Sequence, residues 1–320
     1  MTGASAVSTA ARLCLLGTAG GALTYPRAGV APRFGPCFAL EVGGETYLVD
    51  AGQGAARQLT LARSTAVHGS AAFNSLRAIF LTHLHSDHVM DLNNLLLCGP
   101  NQGWPQQPVK IWGPGPGDTR GTANFLERLV DAFDVDRLSR RTEGVRPASI
   151  EAHDILVPSD ASIFTVYEDD RLAVRAAVVD HGASSPCLAY RFDMDAGSVV
   201  FSGDTAPTTR LTELARGADV LVHEVMDAEI EAWLTPQRNA LSRERLDVVL
   251  AKHSRPEDVV NLASDAGVGL LVVAPVAPGD LPAEHWAQAM RAYSGRLVVG
   301  EDLMVIGPDP NSPRNWKVHE

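Results

Sequence analysis

Short apolar runs alternate with breaks rich in glycine, proline or charge along this chain, and the period of each run assigns an element. RLCLLG, from Arg12 to Gly17, reads as a strand. Cys37–Gly52, CFALEVGGETYLVDAG, sets two apolar runs around Gly43 and Gly44 and predicts a hairpin. Leu76–His83, LRAIFLTH, is a buried strand that ends on a histidine. DLNNLLLCG, from Asp91, has helical spacing and a glycine stop, and VKIWGPGPG, from Val109, is a strand running into a tight turn. TANFLERLVDAF, from Thr122, is an amphipathic helix. Three strands follow in LAVRAAVVDHG, CLAYRFDM and SVVFSGDT; then RLTELARGA (helix), DVLVHEVM (strand), RPEDVVNLASDAGV (helix), GLLVVAPV (strand) and GRLVVGED (strand) before a proline-rich tail.

Strands that first meander and then alternate with helices fit an α/β architecture in which helices cover two packed sheets. With no low-complexity linker and no short repeat, residues 1–320 are expected to form one domain. Residues 1–10 read as a disordered lead, and the least regular stretch, about 136–162, as an insertion over a site.

Composition narrows the classes. The 45% hydrophobic and 20% charged residues are ordinary for a globular chain with an ample core. A net charge of −11 repels phosphate backbones, and RLSRR, Arg137–Arg141, reads as a solvated helix end, so nucleic acid is not favoured as a partner. Cys14, Cys37, Cys98 and Cys187 are scattered without C-x-x-C spacing and read as buried free thiols. LCLLGTAGGAL lacks a basic lead beyond Arg12 and is broken by glycines, so it reads as a strand and turn, not a leader. No run is long enough to span a membrane, and a cytoplasmic enzyme is expected.

Candidate chemistry is concentrated in FLTHLHSDHVMDL, Phe80–Leu92. The chain has 10 histidines, and at that frequency H-x-H-x-D-H arises by chance in under about one chain in a thousand. His83 and His85, two apart on extended backbone, share a face and can point at one ion. Asp87 and His88 follow at the turn into a helix and can hold a second ion beside it. Imidazole with carboxylate suits zinc, with iron or manganese as alternatives. His181, after AVVD, and Asp204, after VVFSG, also stand at strand ends. Either alone is an ordinary turn residue or cap; with the cluster, three strand ends closing on one locus is the stronger account.

With LGTAGG, YLVDAG, LTHLHSDH, DHG, LAYRF, FSGDT and LVHEV in order along nearly its whole length, the chain resembles the metallo-β-lactamase superfamily, most of all its ribonuclease Z and arylsulfatase-like branch. The resemblance implies a four-layer αββα sandwich. It implies one metal on His83, His85 and His181, a second on Asp87 and His88, and Asp204 between the two. It also implies that His253, oriented by Glu224, gives a proton to the leaving group; the plainer reading makes His253 a helix-entry residue, and His223 a brace. Asp50 is expected to hold a ligand histidine by hydrogen bond.

One position departs from the pattern. Where the superfamily's last strand ends in a metal-binding histidine, this chain has Pro275 in LLVVAPVAPGD, and proline offers a metal no lone pair. Water in the gap or loss of the second ion ranks above recruitment of His285, which reads as a helix surface residue. The expectation is therefore a hydrolase with one or two zinc ions, catalytic Asp87, His253 and Glu224, acting on an ester-like or lactone-like bond of a small molecule. A homodimer is compatible with the resemblance. The alternatives are a ribonuclease Z-like phosphodiesterase and a non-hydrolytic or ligand-binding relative.

Overall fold

The alternating runs become fifteen strands among the described residues: β1 (Ala11–Gly17), β2 (Cys37–Val42), β3 (Glu45–Val49), β4 (Leu76–Phe80), β5 (Val109–Pro114), β6 (Ile150–Ile155), β7 (Phe164–Glu168), β8 (Leu172–Val179), β9 (Cys187–Met194), β10 (Gly197–Phe201), β11 (Val220–Met226), β12 (Leu270–Ala277), β13 (Leu297–Val299), β14 (Val305–Asp309) and β15 (Ser312–His319). This is a computed structural model, and it describes residues 11–21, 28–64, 71–96, 108–116, 120–144, 149–227 and 243–319. Residues 1–10 and Cys98 lie outside them.

Two sheets result. Eight strands run in the order β15-β14-β1-β2-β3-β4-β5-β6, and seven in the order β13-β12-β11-β10-β9-β8-β7. Alternate positions explain the layering. Leu13, Leu15, Phe38, Leu40, Tyr47 and Phe80 of the first sheet meet Val174, Tyr190, Phe192, Phe201, Val222 and Val272 of the second. Phe80 stands edge-on to Tyr190 and Phe192, with ring centroids 5.7 and 5.2 Å apart. The opposite faces are covered by helices. Leu211, Leu214, Val259, Ala263 and Trp286 lie on the second sheet; Leu59, Leu92, Leu95 and Leu126 lie on the first. The architecture is the expected αββα sandwich. Cys14, Cys37 and Cys187 are free and buried.

Two stretches differ from the sequence reading. Residues 150–155 form β6, the edge of the eight-stranded sheet, paired parallel with β5. Its side chains are mostly half-buried, so IEAHDI lacks the clear alternation of an inner strand. The proline-rich tail is the hairpin β14–β15. β1 pairs with β14 only at Val305 and Ile306, so Pro308 stands beyond that ladder and its missing N–H costs nothing there.

Between the sheets, Leu188 N–H donates to Thr82 O at 2.9 Å and the Tyr190 hydroxyl to Leu81 O at 2.7 Å. These bonds draw the 81–85 turn against the second sheet. Gly203, at φ 60°, makes the approach feasible: a Cβ there would lie 2.9 Å from Leu188 O and 3.1 Å from Thr82 Cβ. Gly203→Ala is therefore expected to lower stability by about 1–3 kcal/mol, seen as a lower melting temperature in calorimetry, and to displace neighbouring Asp204.

Candidate metal centre and adjoining cavity

β4, β8, β10 and β11 each deliver residues to one end of the sandwich. Past β4, the chain turns through Thr82–His85 and enters the short helix Ser86–Val89. His181 lies two residues beyond β8 and Asp204 three beyond β10, while Glu224 is within β11. The result is three overlapping clusters, each with its ligand atoms within 4.8 Å of one another: His83, His85 and His181; His83, His88 and Asp204; His181, Asp204 and His253.

Hydrogen bonds fix most of the ring orientations. His88 Nδ1 lies 2.8 Å from Asp50 Oδ2 and donates to it. His83 Nδ1 lies 3.0 Å from Thr82 Oγ1, which itself donates to Asp50 Oδ2 at 2.9 Å. His181 Nδ1 donates to Lys252 O at 3.0 Å. With those three Nδ1 protons committed, the Nε2 atoms of neutral His83 and His181 carry bare lone pairs, and His88 Nε2 is the position left for a proton or an ion. His83 Nε2 and His181 Nε2 then face His85 Nδ1 at 3.0 and 3.2 Å. A proton on His85 Nδ1 could point squarely at only one of the two facing lone pairs, whereas a cation among the three nitrogens would take up all of them, so the donor set fits a metal. His88 Nε2 gives a second sign of the same kind: it is buried without a hydrogen bond, 3.3 Å from Asp204 Oδ1 and 3.6 Å from Asp87 Oδ2. The same Asp87 oxygen accepts Gly21 N–H at 3.2 Å.

Burial dominates the electrostatics. It pushes the His83 imidazole well below the ordinary range, with neighbouring His88 adding to the effect, and holds His181 down to about 4. Both rings are neutral at pH 7, as ligands must be. For His88 burial works the same way, but the carboxylates of Asp204 and Asp50 outweigh it and the ring rises well above its usual value. Asp204 is opposed by burial too, yet His88, His253 and His83 carry it well below the carboxylate range. Asp50 is pushed up by burial, partly offset by His88 and Thr82. It is also a non-glycine residue at φ 59°, a strained conformation kept where its oxygens can reach both Thr82 and His88.

His253 Nδ1 sits 2.9 Å from Glu224 Oε1 and 4.0 Å from Asp204 Oδ2. Glu224 Oε1 is fixed by Thr205 N–H at 2.9 Å. His223 faces away, its Nδ1 on the Glu224 carbonyl at 2.7 Å. His285 joins none of the clusters; its Nε2 is 3.1 Å from Asp227 Oδ2. Thr82 and the Lys252 carbonyl were missed by sequence reasoning. A threonine beside a histidine is a weak sign, and a main-chain carbonyl has none.

Beside His85 opens a cavity of about 670 Å³, with Leu84 and Val248 as apolar wall, Ser184 as hydroxyl, and Arg120 and Lys252 as cations.

A family described as beta-lactamase superfamily domain matches residues 45–274. Ribonuclease Z of Mycobacterium bovis (strain BCG / Pasteur 1173P2) is 33% identical over 286 residues, 87% of this chain and 93% of that protein. Ribonuclease Z of Mycobacterium sp. (strain KMS) is 34% identical over 288 residues, 88% and 92% of the two chains. Among solved structures, the short form of human tRNase Z superimposes with TM-score 0.63 at 18% identity, covering 92% of this chain and 98% of that one. Zinc-bound PqqB from Methylobacterium extorquens gives 0.62 at 15%, covering 92% and 99%. At those identities the superpositions speak for the fold alone.

The ribonuclease Z relatives overturn two expectations: that the substrate is a small molecule with an ester-like or lactone-like bond, and that nucleic acid is disfavoured. The inference from net charge failed because −11 averages the whole chain. A polyanion responds to the local field and not to the total, and Arg120 and Lys252 both line the cavity beside His85. The chain belongs to the metallo-β-lactamase superfamily, as a ribonuclease Z-like, metal-dependent hydrolase.

Proposed function

We propose that this protein is a phosphodiesterase that cleaves RNA in the manner its relatives' name implies, with zinc at the histidine cluster and iron or manganese as the other ions the donors admit. The reading rests above all on 33% identity to a ribonuclease Z across 87% of the chain. Cys14, Cys37 and Cys187, scattered, free and buried, suit a cytoplasmic enzyme.

His83, His85 and His181 would hold one ion; Asp87, His88 and Asp204 would hold a second. A divalent cation at such a site supplies water that is nucleophilic near neutral pH and draws charge off the phosphoryl oxygens. The chain's own residues do the rest. Asp87 and Asp204 line up the attacking water and accept its hydrogen bonds. Asp50, Thr82 and the Lys252 carbonyl keep the imidazoles in the right tautomer. His253, with Glu224 holding Nδ1, offers its remaining proton to the departing ribose oxygen.

Incubation of metal-loaded protein with precursor tRNA tests this directly. Site-specific cleavage, absent with chelator, is expected. No cleavage with any of the three metals, alongside turnover of simple esters, would overturn it.

The second ion is expected to be the weaker, because β12 offers Pro275 and no imidazole. Stepwise acidification should release metal in two stages. A proton favoured on His88 well above the ordinary histidine value of 6.5 displaces the ion there first. His83 and His181 resist protonation, His181 down to about 4, and keep theirs longer. Metal counts after dialysis at falling pH check the order, and Pro275→His should move the first release to lower pH.

A further inference from the structure

The proposed cleavage leaves the two cations of the adjoining cavity without a role. Lys252 is placed by its backbone and its stem. Its carbonyl accepts from His181 Nδ1 at 3.0 Å. Its stem passes over the loop after His181, with Cβ and Cδ 3.7 and 3.8 Å from where a Cβ on Gly182 would stand. From there its ammonium makes protonation of His85, His181 and His253 harder, in addition to what burial does. Arg120 lines the same cavity, as do Ser184 and Ser185. Asp180 is the one carboxylate on the described wall, and its Oδ1 accepts Gly182 N–H at 3.0 Å. Among the described residues, neither cationic head forms an ion pair.

The cavity touches the centre only through His85; His83, His88 and Asp204 do not line it. A phosphate at the reacting position therefore leaves this space for the neighbouring part of the strand. Two cations, two hydroxyls and a described lining without Phe, Tyr or Trp match a sugar-phosphate unit better than a stacked base. We propose that Lys252 and Arg120 grip the phosphate next to the scissile one, making the cavity a flanking-nucleotide subsite. This rests on the phosphodiesterase reading, and it makes Lys252 a positioning residue, not a catalytic one.

Fluorescence anisotropy of a labelled single-stranded RNA on metal-loaded protein, between about 50 and 200 mM salt, tests it. Lys252→Ala is expected to weaken binding about tenfold and to flatten the log–log salt dependence by about 0.7, the value for one lost phosphate contact on a single strand. Arg120→Ala should act in the same direction, and Lys252→Arg should bind within about twofold of the parent, since a guanidinium also pairs with phosphate. Turnover of bis(p-nitrophenyl) phosphate, which has no flanking phosphate, is measured on the same preparations. Lys252→Ala should lose at least about tenfold more kcat/KM on RNA than on this diester. Identical affinity and salt slope in parent and Lys252→Ala overturn the subsite, even if the diester is hydrolysed. A changed slope without any diester turnover supports the subsite and counts against the phosphodiesterase reading.

Discussion

Replacing His83 by alanine is expected to leave the purified protein with less than one bound metal and to cut phosphodiesterase turnover by about a thousandfold or more. The size follows from what is lost. A cation's stabilisation of phosphoryl charge is worth several kcal/mol, and each 1.36 kcal/mol is a factor of ten in rate. His83 belongs, like His181 and Asp204, to two of the three clusters, and it is the histidine that joins the two proposed ion sites: its Nε2 faces His85 Nδ1 at 3.0 Å and Asp204 Oδ2 at 4.0 Å. Its Nδ1 is committed to Thr82, so no other tautomer can substitute. Elemental analysis and steady-state rates on one RNA substrate are the measurements, with circular dichroism to show that the variant folds. Thr82→Val should fall between parent and His83→Ala, with metal affinity reduced about 10–100-fold, as for residues that only orient a ligand. A folded His83→Ala protein that keeps its metal and its rate would end the assignment of this cluster.

How much of this could be read from the chain depended on distance along it. His83, His85, Asp87 and His88 fall within six positions, so their chemistry is visible as spacing. His181 and Asp204 are distant in sequence but stand just past apolar strands, and strand ends in a layered sheet fold gather at one edge. The sandwich was legible for the same reason, because its inner strands bury both faces and read as continuous apolar runs. β6 was not, since an edge strand with one wet face loses that contrast. Nor was the terminal hairpin, whose prolines suggest a coil until Pro308 is seen to lie beyond the β1 ladder.

The substrate was the least legible feature, for a physical reason. Charge summed over a sequence has no position, whereas Arg120 and Lys252 act through theirs. They lie 132 residues apart in the chain (252 less 120) and line one cavity. Neither stands in a basic run. RLSRR, the one basic run the sequence displays, instead lies in the exposed helix Asp134–Thr142, where Arg137 and Arg140 pair with Asp134 and Asp136 of the same helix.

His253→Ala should separate proton transfer from metal binding. If His253 is the acid that protonates the leaving oxygen, turnover should fall about 10²–10⁴-fold while the metal count stays that of the parent. The competing role is ligation, since His253 clusters with His181 and Asp204. Its Nδ1, however, is 2.9 Å from Glu224 Oε1 and carries the proton between them, which leaves no lone pair there for an ion. The pH profile decides further. Burial opposes a charge on His253, but Glu224, by charge and hydrogen bond, and then Asp204 outweigh it, so the ring titrates above the ordinary 6.5. An acid must be protonated to act, so kcat should fall as pH rises through that raised value. Glu224→Gln removes the principal cause of the rise; the alkaline fall should then begin at lower pH, while metal content is unchanged. In His253→Ala this limb should be missing from the residual rate. A limb that stays in place in both variants would assign the proton to another group, and loss of metal from His253→Ala would make His253 a ligand.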